Sequence, residues 1–433
     1  MNPREAALNS LNKWEANGVF SNIELNTVIS RQSMEKNDAS LYTLLFLGVI
    51  EKLYLLDAII DQYSKIPPSK IEASTKNILR LGIYQLLFTD KIPEYSAVSE
   101  SVNLAGRRSK GFVNALLRSF LRNERAYSLP EDKWQRMSIE GSIPMDIINI
   151  FRDSYGDETA SELCAVLPQK SHLSLRVNTL KTSTQELALK IKERGYMAEN
   201  SELAKDIVIT NAPIFAIQEI LDDGLAFVQD ESSRIASMVV GAMPNEIIAD
   251  VCACPGGKSF SLAIDMENKG ELYSSDLHEN KLSLITKGSK KLGIEIINIK
   301  AQNAKEFVPE YEEKFDRVLC DVPCSGLGVI FKKPDIKYKS IENINALPSV
   351  QYDILKNCAK YVKKGGTLVY STCTLNSEEN EKNIAKFILE NPSFVMEDFE
   401  IGKVKSKEGG YTFFPHIDST DGFYVAKMRR KND

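Results

Sequence analysis

The sequence predicts a multidomain protein: an all-α amino-terminal part, a small α+β subdomain, and a carboxy-terminal doubly wound α/β domain. Three observations predict it. Apolar residues at Ile71, Ile78, Leu79, Leu86 and Leu87 fall on one helical stripe, and residues 1–125 repeat such spacing elsewhere. Over residues 167–240 strand-like alternation and a helical segment follow one another. From residue 241 short buried apolar runs alternate with helical segments, the pattern of a parallel sheet with right-handed crossovers.

In chain order, helical patterning covers residues 41–63, 71–88 and 111–121, punctuated by Pro67, Pro68 and Pro93. No glycine-rich loop or carboxylate pair stands there, so this part reads as a helical interaction module. Ser-Leu-Pro-Glu-Asp at 128–132 is a linker signal, and a further helical stretch spans 143–167, which makes 126–166 a helical linker. The α+β region alternates at Leu173, Leu175 and Val177, continues as a helix over 184–194, and ends in apolar runs at 207–210 and 225–228. In the last domain, 241–433, strands are expected at 247–251, 271–275, 296–299, 317–320 and 367–371, with helices such as 259–267 and 279–292 between them. Runs at 411–414 and 423–428 with no helix between them predict a closing antiparallel hairpin.

Composition narrows the function classes. The 433 residues are 43% hydrophobic and 26% charged, ordinary for a soluble chain, and the longest clean apolar run is 44–50. That is far short of the ~20 residues a membrane span needs, and no signal peptide opens the sequence. The expectation is a cytoplasmic protein with no membrane partner. A net charge of −5 does not by itself favour nucleic acid. The basic clusters Arg107/Arg108/Lys110, Lys287/Lys290/Lys291 and Lys332/Lys333/Lys337/Lys339 are each read as solvated faces before RNA sites. Of the seven cysteines, all but Cys164 lie between 252 and 373, an odd set that argues against a disulfide framework.

Three strand ends carry candidate chemistry. Asp250-Val-Cys-Ala-Cys-Pro-Gly-Gly-Lys258 follows a short strand and opens a helix, where a doubly wound fold binds nucleotide-like ligands. Paired glycines alone read equally well as a tight turn. Asp276, at the end of the next strand and 19 positions after Gly257, is placed to accept hydrogen bonds from ribose hydroxyls, which favours the ligand reading. Asp321-Val-Pro-Cys-Ser-Gly326 ends the fourth strand and Ser371-Thr-Cys-Thr374 the fifth. Because carboxyl ends of strands face one crevice, Cys324, Cys373 and Asp321 are expected to meet above the glycine loop. A zinc site on Cys252, Cys254, Cys320 and Cys324 is disfavoured, since one pair has a single intervening residue and Cys320 falls inside a strand; no metal is expected.

These stretches resemble the signature motifs of the RNA cytosine-C5 methyltransferases: Asp-Val-Cys-Ala-Cys-Pro-Gly-Gly-Lys-Ser, Asp-Val-Pro-Cys-Ser-Gly-Leu-Gly and Ser-Thr-Cys-Thr-Leu-Asn-Ser-Glu-Glu-Asn. Lys-Lys-Pro-Asp-Ile-Lys at 332–337 is similar to a further block of that family, and the resemblance covers roughly residues 165–430. The amino-terminal part resembles NusB, an RNA-binding helical fold, most closely at 97–105 and 112–118. The combination is similar to the Sun/Fmu/RsmB group, which modifies small-subunit (16S) ribosomal RNA. Two positions depart from the pattern: Cys254 stands where the family has alanine, and Asn303 where it often has an acid.

The resemblance implies a Rossmann-like class I methyltransferase domain that takes S-adenosyl-L-methionine as cofactor. It implies a cofactor set of Cys252, Ala253, Cys254, Pro255, Gly256, Gly257, Lys258, Asp276, Asn303 and Asp321, the last able to meet the base edge instead. It makes Cys373 the attacking thiolate and Cys324 the thiol that assists release. Carbon 5 of cytosine is a poor nucleophile, and thiolate addition at carbon 6 is what turns it into an enamine carbon. The implied partner is ribosomal RNA, bound by a monomer with the target base unstacked. Two other readings remain: an amino-directed RNA methyltransferase, which needs no thiol, and a non-catalytic RNA-binding or ribosome-assembly factor.

Overall fold

The computed structural model describes residues 2–18, 21–166 and 172–432. The chain forms two compact units, Met1–Ala165 with Ile330–Lys339, and Val166–Val329 with Ser340–Asp433. The boundary expected at 166/167 adjoins residues 167–171, which lie outside the described residues.

The first unit is helical, with helices Pro3–Asn17, Ser21–Gln32, Lys36–Glu51, Leu53–Tyr63, Ala73–Phe88, Glu94–Leu104, Lys110–Arg122, Lys133–Gly141 and Met145–Ala165. Their apolar stripes meet in one core that includes Leu45, Phe46, Leu56, Ile60, Ile78, Leu79, Leu116 and Phe120. Gly48 lets helix Lys36–Glu51 approach Ala73–Phe88 closely, since a Cβ there would fall 2.1 Å from the Tyr84 ring. Arg80, inside that packing, is held by a two-pronged pair with Asp57 at 2.7 and 2.8 Å.

Residues 330–339 correct the reading of one basic cluster. Lys337 is buried, not solvated: its ammonium donates to the terminal carbonyls of two helices, Glu51 (3.1 Å) and Gly141 (3.2 Å). Tyr338 donates to the Ile50 carbonyl at 2.8 Å and meets Trp14 edge-on. Asp335 accepts the Ser21 hydroxyl at 2.8 Å.

The second unit begins with the α+β part. Strands β1 (Leu173–Val177), β2 (Ala198–Asn200), β3 (Ile207–Thr210) and β4 (Ala226–Val228) form an antiparallel sheet in the order β2-β3-β1-β4. Helix Thr184–Glu193 opens on a capping box between Ser183 and Glu186. Buried Arg176 on β1 and Arg234 on helix Glu231–Val240 share Asp206 and Asp265 at 2.6–3.2 Å, which fastens this sheet to helix Gly257–Asp265.

The larger sheet holds β5 (Ile247–Asp250), β6 (Glu271–Asp276), β7 (Ile297–Ala301), β8 (Phe315–Asp321), β9 (Val362–Thr372) and β10 (Phe394–Met396). After a small β11–β12 ribbon (Glu400–Ile401, Val404–Lys405), β13 (Gly410–Phe413) and β14 (Phe423–Arg430) complete it. The order is β10-β14-β9-β8-β5-β6-β7, with β13 on β14. β7, β6, β5, β8 and β9 run parallel, and β14 returns antiparallel along β9 and β13, so the sheet is mixed as the closing hairpin required, although a one-turn helix, Pro415–Asp418, stands in the connection where none was expected. Alternate residues pack opposite faces: Ala249, Val318 and Leu368 on one, Ile248, Leu319 and Val369 on the other. Among the described residues no helix is long and apolar enough to cross a membrane.

Candidate active site

The chain runs β5, β6, β7 outward on one side, then crosses to β8 and β9 on the other. The strand order therefore reverses between β5 and β8, and in such folds the carboxyl ends of those strands are where the binding crevice lies. Asp250, Asp276, Asp321 and Cys373 stand at or just beyond the ends of β5, β6, β8 and β9.

The loop after β5 has a fixed shape. Ala253 N–H donates to the Ser275 carbonyl at 2.9 Å, and Gly256 N–H turns back to the Ala253 carbonyl at 2.7 Å. Gly256 has φ +111°, and a Cβ there would stand 2.6 Å from the Phe260 ring, so both conformation and space call for glycine. After Pro255 and Gly256 the helix starts at Gly257, whose carbonyl accepts from Gln229 at 3.1 Å. Asp276 accepts the backbone N–H of Cys254 (3.2 Å) and of His278 (3.0 Å), one on each oxygen, and so ties the loop to β6. The carboxylate keeps acceptor capacity for a ligand beside the Cys254 thiol, which also bonds to it.

Beneath the loop, Asp250 is fully buried. Its Oδ2 accepts the Ser259 hydroxyl at 2.6 Å, and the Ser274 hydroxyl donates on to Ser259 at 2.9 Å. Its Oδ1 has no hydrogen-bond partner among the described residues. Burial pushes this acid up to about 7, with the Ser259 bond pulling the other way. The motif reading began at Asp250 but gave it no role.

On the other side of the crevice Lys258 forms a 2.8 Å ion pair with Asp321, whose second oxygen accepts the Ser371 hydroxyl at 2.8 Å. Burial opposes the Lys258 charge, but Asp321 more than offsets it, and the ammonium is held above its ordinary range with the Cys373 sulfur among its electrostatic neighbours. Cys324 and Cys373 meet, Sγ to Sγ, at 3.2 Å. The hydrogen bond to Cys373, then burial, then Glu379 and Asp321, raise the Cys324 thiol well above its usual value.

Not every expected residue converges. Cys252 packs with Cys320 and Cys358 in the core under the sheet, and burial raises its thiol well above the ordinary value. Asn303 shapes its own turn, accepting Lys305 N–H at 3.1 Å and donating to Glu306 at 2.8 Å. The four sulfurs of the zinc reading do not gather in one place: Cys252 and Cys320 share the core with Cys358, the Cys324 thiol meets Cys373, and Cys254 lies beside Asp276. Gln229 and Gln351 escape the sequence reading, and Ser371 and Glu379 stand in a quoted motif with no role assigned, because each acts through partners distant in sequence.

Three family models match: NusB family over residues 1–122, a ferredoxin-like domain of RsmF/B-like methyltransferases over 144–216, and 16S rRNA methyltransferase RsmB/F over 237–429. The chain is similar to a probable ribosomal RNA small subunit methyltransferase B of Bacillus subtilis (strain 168), 36% identical over 99% of this chain and 98% of that one. It is also similar to a probable ribosomal RNA small subunit methyltransferase B of Synechocystis sp., 32% identical over 95% of each. Among solved structures, that of PH0851 matches with a TM-score of 0.83 and 26% identity over 99% of both chains.

Proposed function

This chain belongs to the RsmB/F family of 16S rRNA methyltransferases, and we propose that it methylates carbon 5 of a cytosine through a covalent adduct on Cys373. The observation that carries the reading is the pair of sulfurs 3.2 Å apart at the ends of neighbouring strands, beside the Lys258–Asp321 pair. An amino-directed transfer has no use for two such thiols.

The loop fits S-adenosylmethionine. Asp276 keeps acceptor capacity for ribose hydroxyls, and Asp250 carries an unpartnered oxygen just below. Ala253, Cys254, Pro255, Gly256, Gly257 and Asp276 would hold it, and bound there it supplies an electrophilic methyl carbon. The chain's own residues do the rest. The Lys258 ammonium favours a thiolate at Cys373, while Cys324, its own ionisation suppressed, keeps its proton and can offer its S–H as a hydrogen bond to the neighbouring sulfur. Thiolate addition at carbon 6 moves an electron pair to carbon 5, which takes the methyl group. Transfer of the carbon-5 proton to a water molecule re-forms the double bond and expels the Cys373 thiolate. Cys324 acts at that release, and Asp321 meets the base edge or the cofactor. The NusB-like residues 1–125 bind and place the RNA.

Cys373→Ser and Cys324→Ser separate the roles. Cys373→Ser should abolish turnover and give no protein–RNA adduct on a denaturing gel, whereas Cys324→Ser should still attack and methylate, and accumulate adduct. Accumulation only in Cys373→Ser reverses the assignment. Full activity of both variants without adduct replaces it with amino-directed transfer.

A further inference from the structure

The two sulfurs reach each other from separate loops, and the side chains that hold those loops together are buried ones. Gln351 and Glu379 are both 0% exposed. Gln351, on helix Ile341–Ala359, donates to the Pro323 carbonyl at 2.9 Å and to Glu379 at 2.7 Å. Glu379 accepts the Ser325 N–H at 2.9 Å and the Ser325 hydroxyl at 2.5 Å. It also accepts Asn376 Nδ2 at 3.0 Å. Both neighbours of Cys324 in the chain are thus anchored, Pro323 through its carbonyl and Ser325 through its amide. The Cys373 side is stitched to the same loop: Gly328 N–H donates to the Cys373 carbonyl at 3.1 Å, and Thr374 accepts Leu327 N–H at 3.3 Å.

A carboxylate accepting four donors has used its whole acceptor capacity. Buried that completely, the network is stable only when every member is in place, which makes it a device for fixing geometry. We propose that Glu379, braced by Gln351, is a positioning residue that holds Cys324 against Cys373 and thereby sets the rate at which the product leaves Cys373. The clamp stands on geometry alone; its effect on release rests on the two-cysteine function proposed above.

Glu379→Gln tests both parts. The amide keeps the volume but turns N–H groups toward Ser325, Gln351 or Asn376, which are donors already. The first readout is a thiol ruler that needs no RNA. Diamide takes up the two thiol hydrogens and their electrons to become a hydrazine as the Cys324–Cys373 bond forms, and peptide mass mapping follows that crosslink. It should form at least roughly tenfold more slowly in Glu379→Gln than in the parent, given how steeply reactivity falls with small misplacements. The second readout is methyl transfer: kcat should fall several-fold, KM for S-adenosylmethionine should hold, and covalent RNA adduct should accumulate. An unchanged crosslinking rate overturns the clamp. A slower crosslink without adduct, and with kcat unaltered, keeps the clamp and overturns the role given to Cys324. If Glu379→Gln does not fold, Ser325→Ala removes one of the Glu379 donors together with the Ser325–Thr374 hydroxyl contact at 2.5 Å; it should slow the crosslink in the same direction, and a parental rate there refutes the proposal.

Discussion

Replacing Asp250 by asparagine should remove a pH dependence of stability whose size follows from its surroundings. The carboxyl is fully buried, its one bonded oxygen takes a hydroxyl from Ser259, and burial lifts it from 3.8 to about 7. The sign follows from linkage. Between those values the unfolded chain has released the proton and the folded chain still binds it, so stability falls as pH rises. Integrated from pH 4 to pH 8, the loss is about 3–4 kcal/mol, at 1.36 kcal/mol for each pH unit in the window. Above about pH 8 the curve should be flat with respect to this group. Asparagine keeps an oxygen for Ser259 and carries no titrating proton, so the difference between parent and Asp250→Asn isolates the effect. The probe must report the second unit. Both tryptophans, Trp14 and Trp134, lie in the helical unit and would miss it. Hydrogen exchange of the β5 amides as a function of urea, referred at each pH to the unstructured rate, reads the right structure. Parallel pH curves for the two proteins would show that Asp250 is ionised in the folded state and would refute the burial argument.

Asp276→Ala should weaken S-adenosylmethionine binding by about 1.5–3 kcal/mol, the usual worth of hydrogen bonds to a charged group. Calorimetry giving parental affinity in a folded variant would take Asp276 out of the site. Lys337→Met should cost the helical unit about 2–3 kcal/mol, because the carbonyls of Glu51 and Gly141 lose their donor. Tryptophan fluorescence in urea reads that loss. Burial lowers Lys337 to about 8 from 10.5, so the unfolded chain binds the proton over that window and the folded chain does not. The parent should therefore gain stability from pH 8 to 10.5 while Lys337→Met lacks the gain, and equal curves would contradict it.

What was legible in the sequence was what local pattern determines. The strands from β5 to β9 are legible from a short apolar stretch in each, Ile247–Ile248 in β5, Val318–Leu319 in β8 and Leu368–Val369 in β9, while β7 alternates Ile297 and Ile299 with exposed Asn298 and Lys300. The crevice was legible for a related reason. Once the β/α rhythm is read, the strand ends are known to face one edge, and Asp250, Asp276, Asp321 and Cys373 occupy those ends. β2 was missed because three residues, two of them exposed, carry no alternation to read. The expected meeting of Cys324 with Cys373 is in the structure, but its distance is a property of the loops and of nothing within either motif.

The basic cluster at 332–339 shows where pattern reading stops and why. Four lysines in eight residues look like a solvated surface, since isolated lysines are rarely fully buried. Lys337 is buried because two helices end where its ammonium lies, and their last carbonyls lack donors of their own. Those carbonyls belong to residues 286 and 196 positions earlier in the chain. Glu379 is the same case with the sign reversed: its donors include Ser325, 54 positions away, and Gln351, 28 away. Both residues fall inside stretches that carry the family resemblance, 332–337 and 371–380, but a charged side chain satisfied by backbone or amide groups so distant carries no local sign of what it holds, because the cost of burying it is met only once the fold exists. Sequence pattern can therefore point to the residues that react, while the groups that hold them in place come into view only with the tertiary structure.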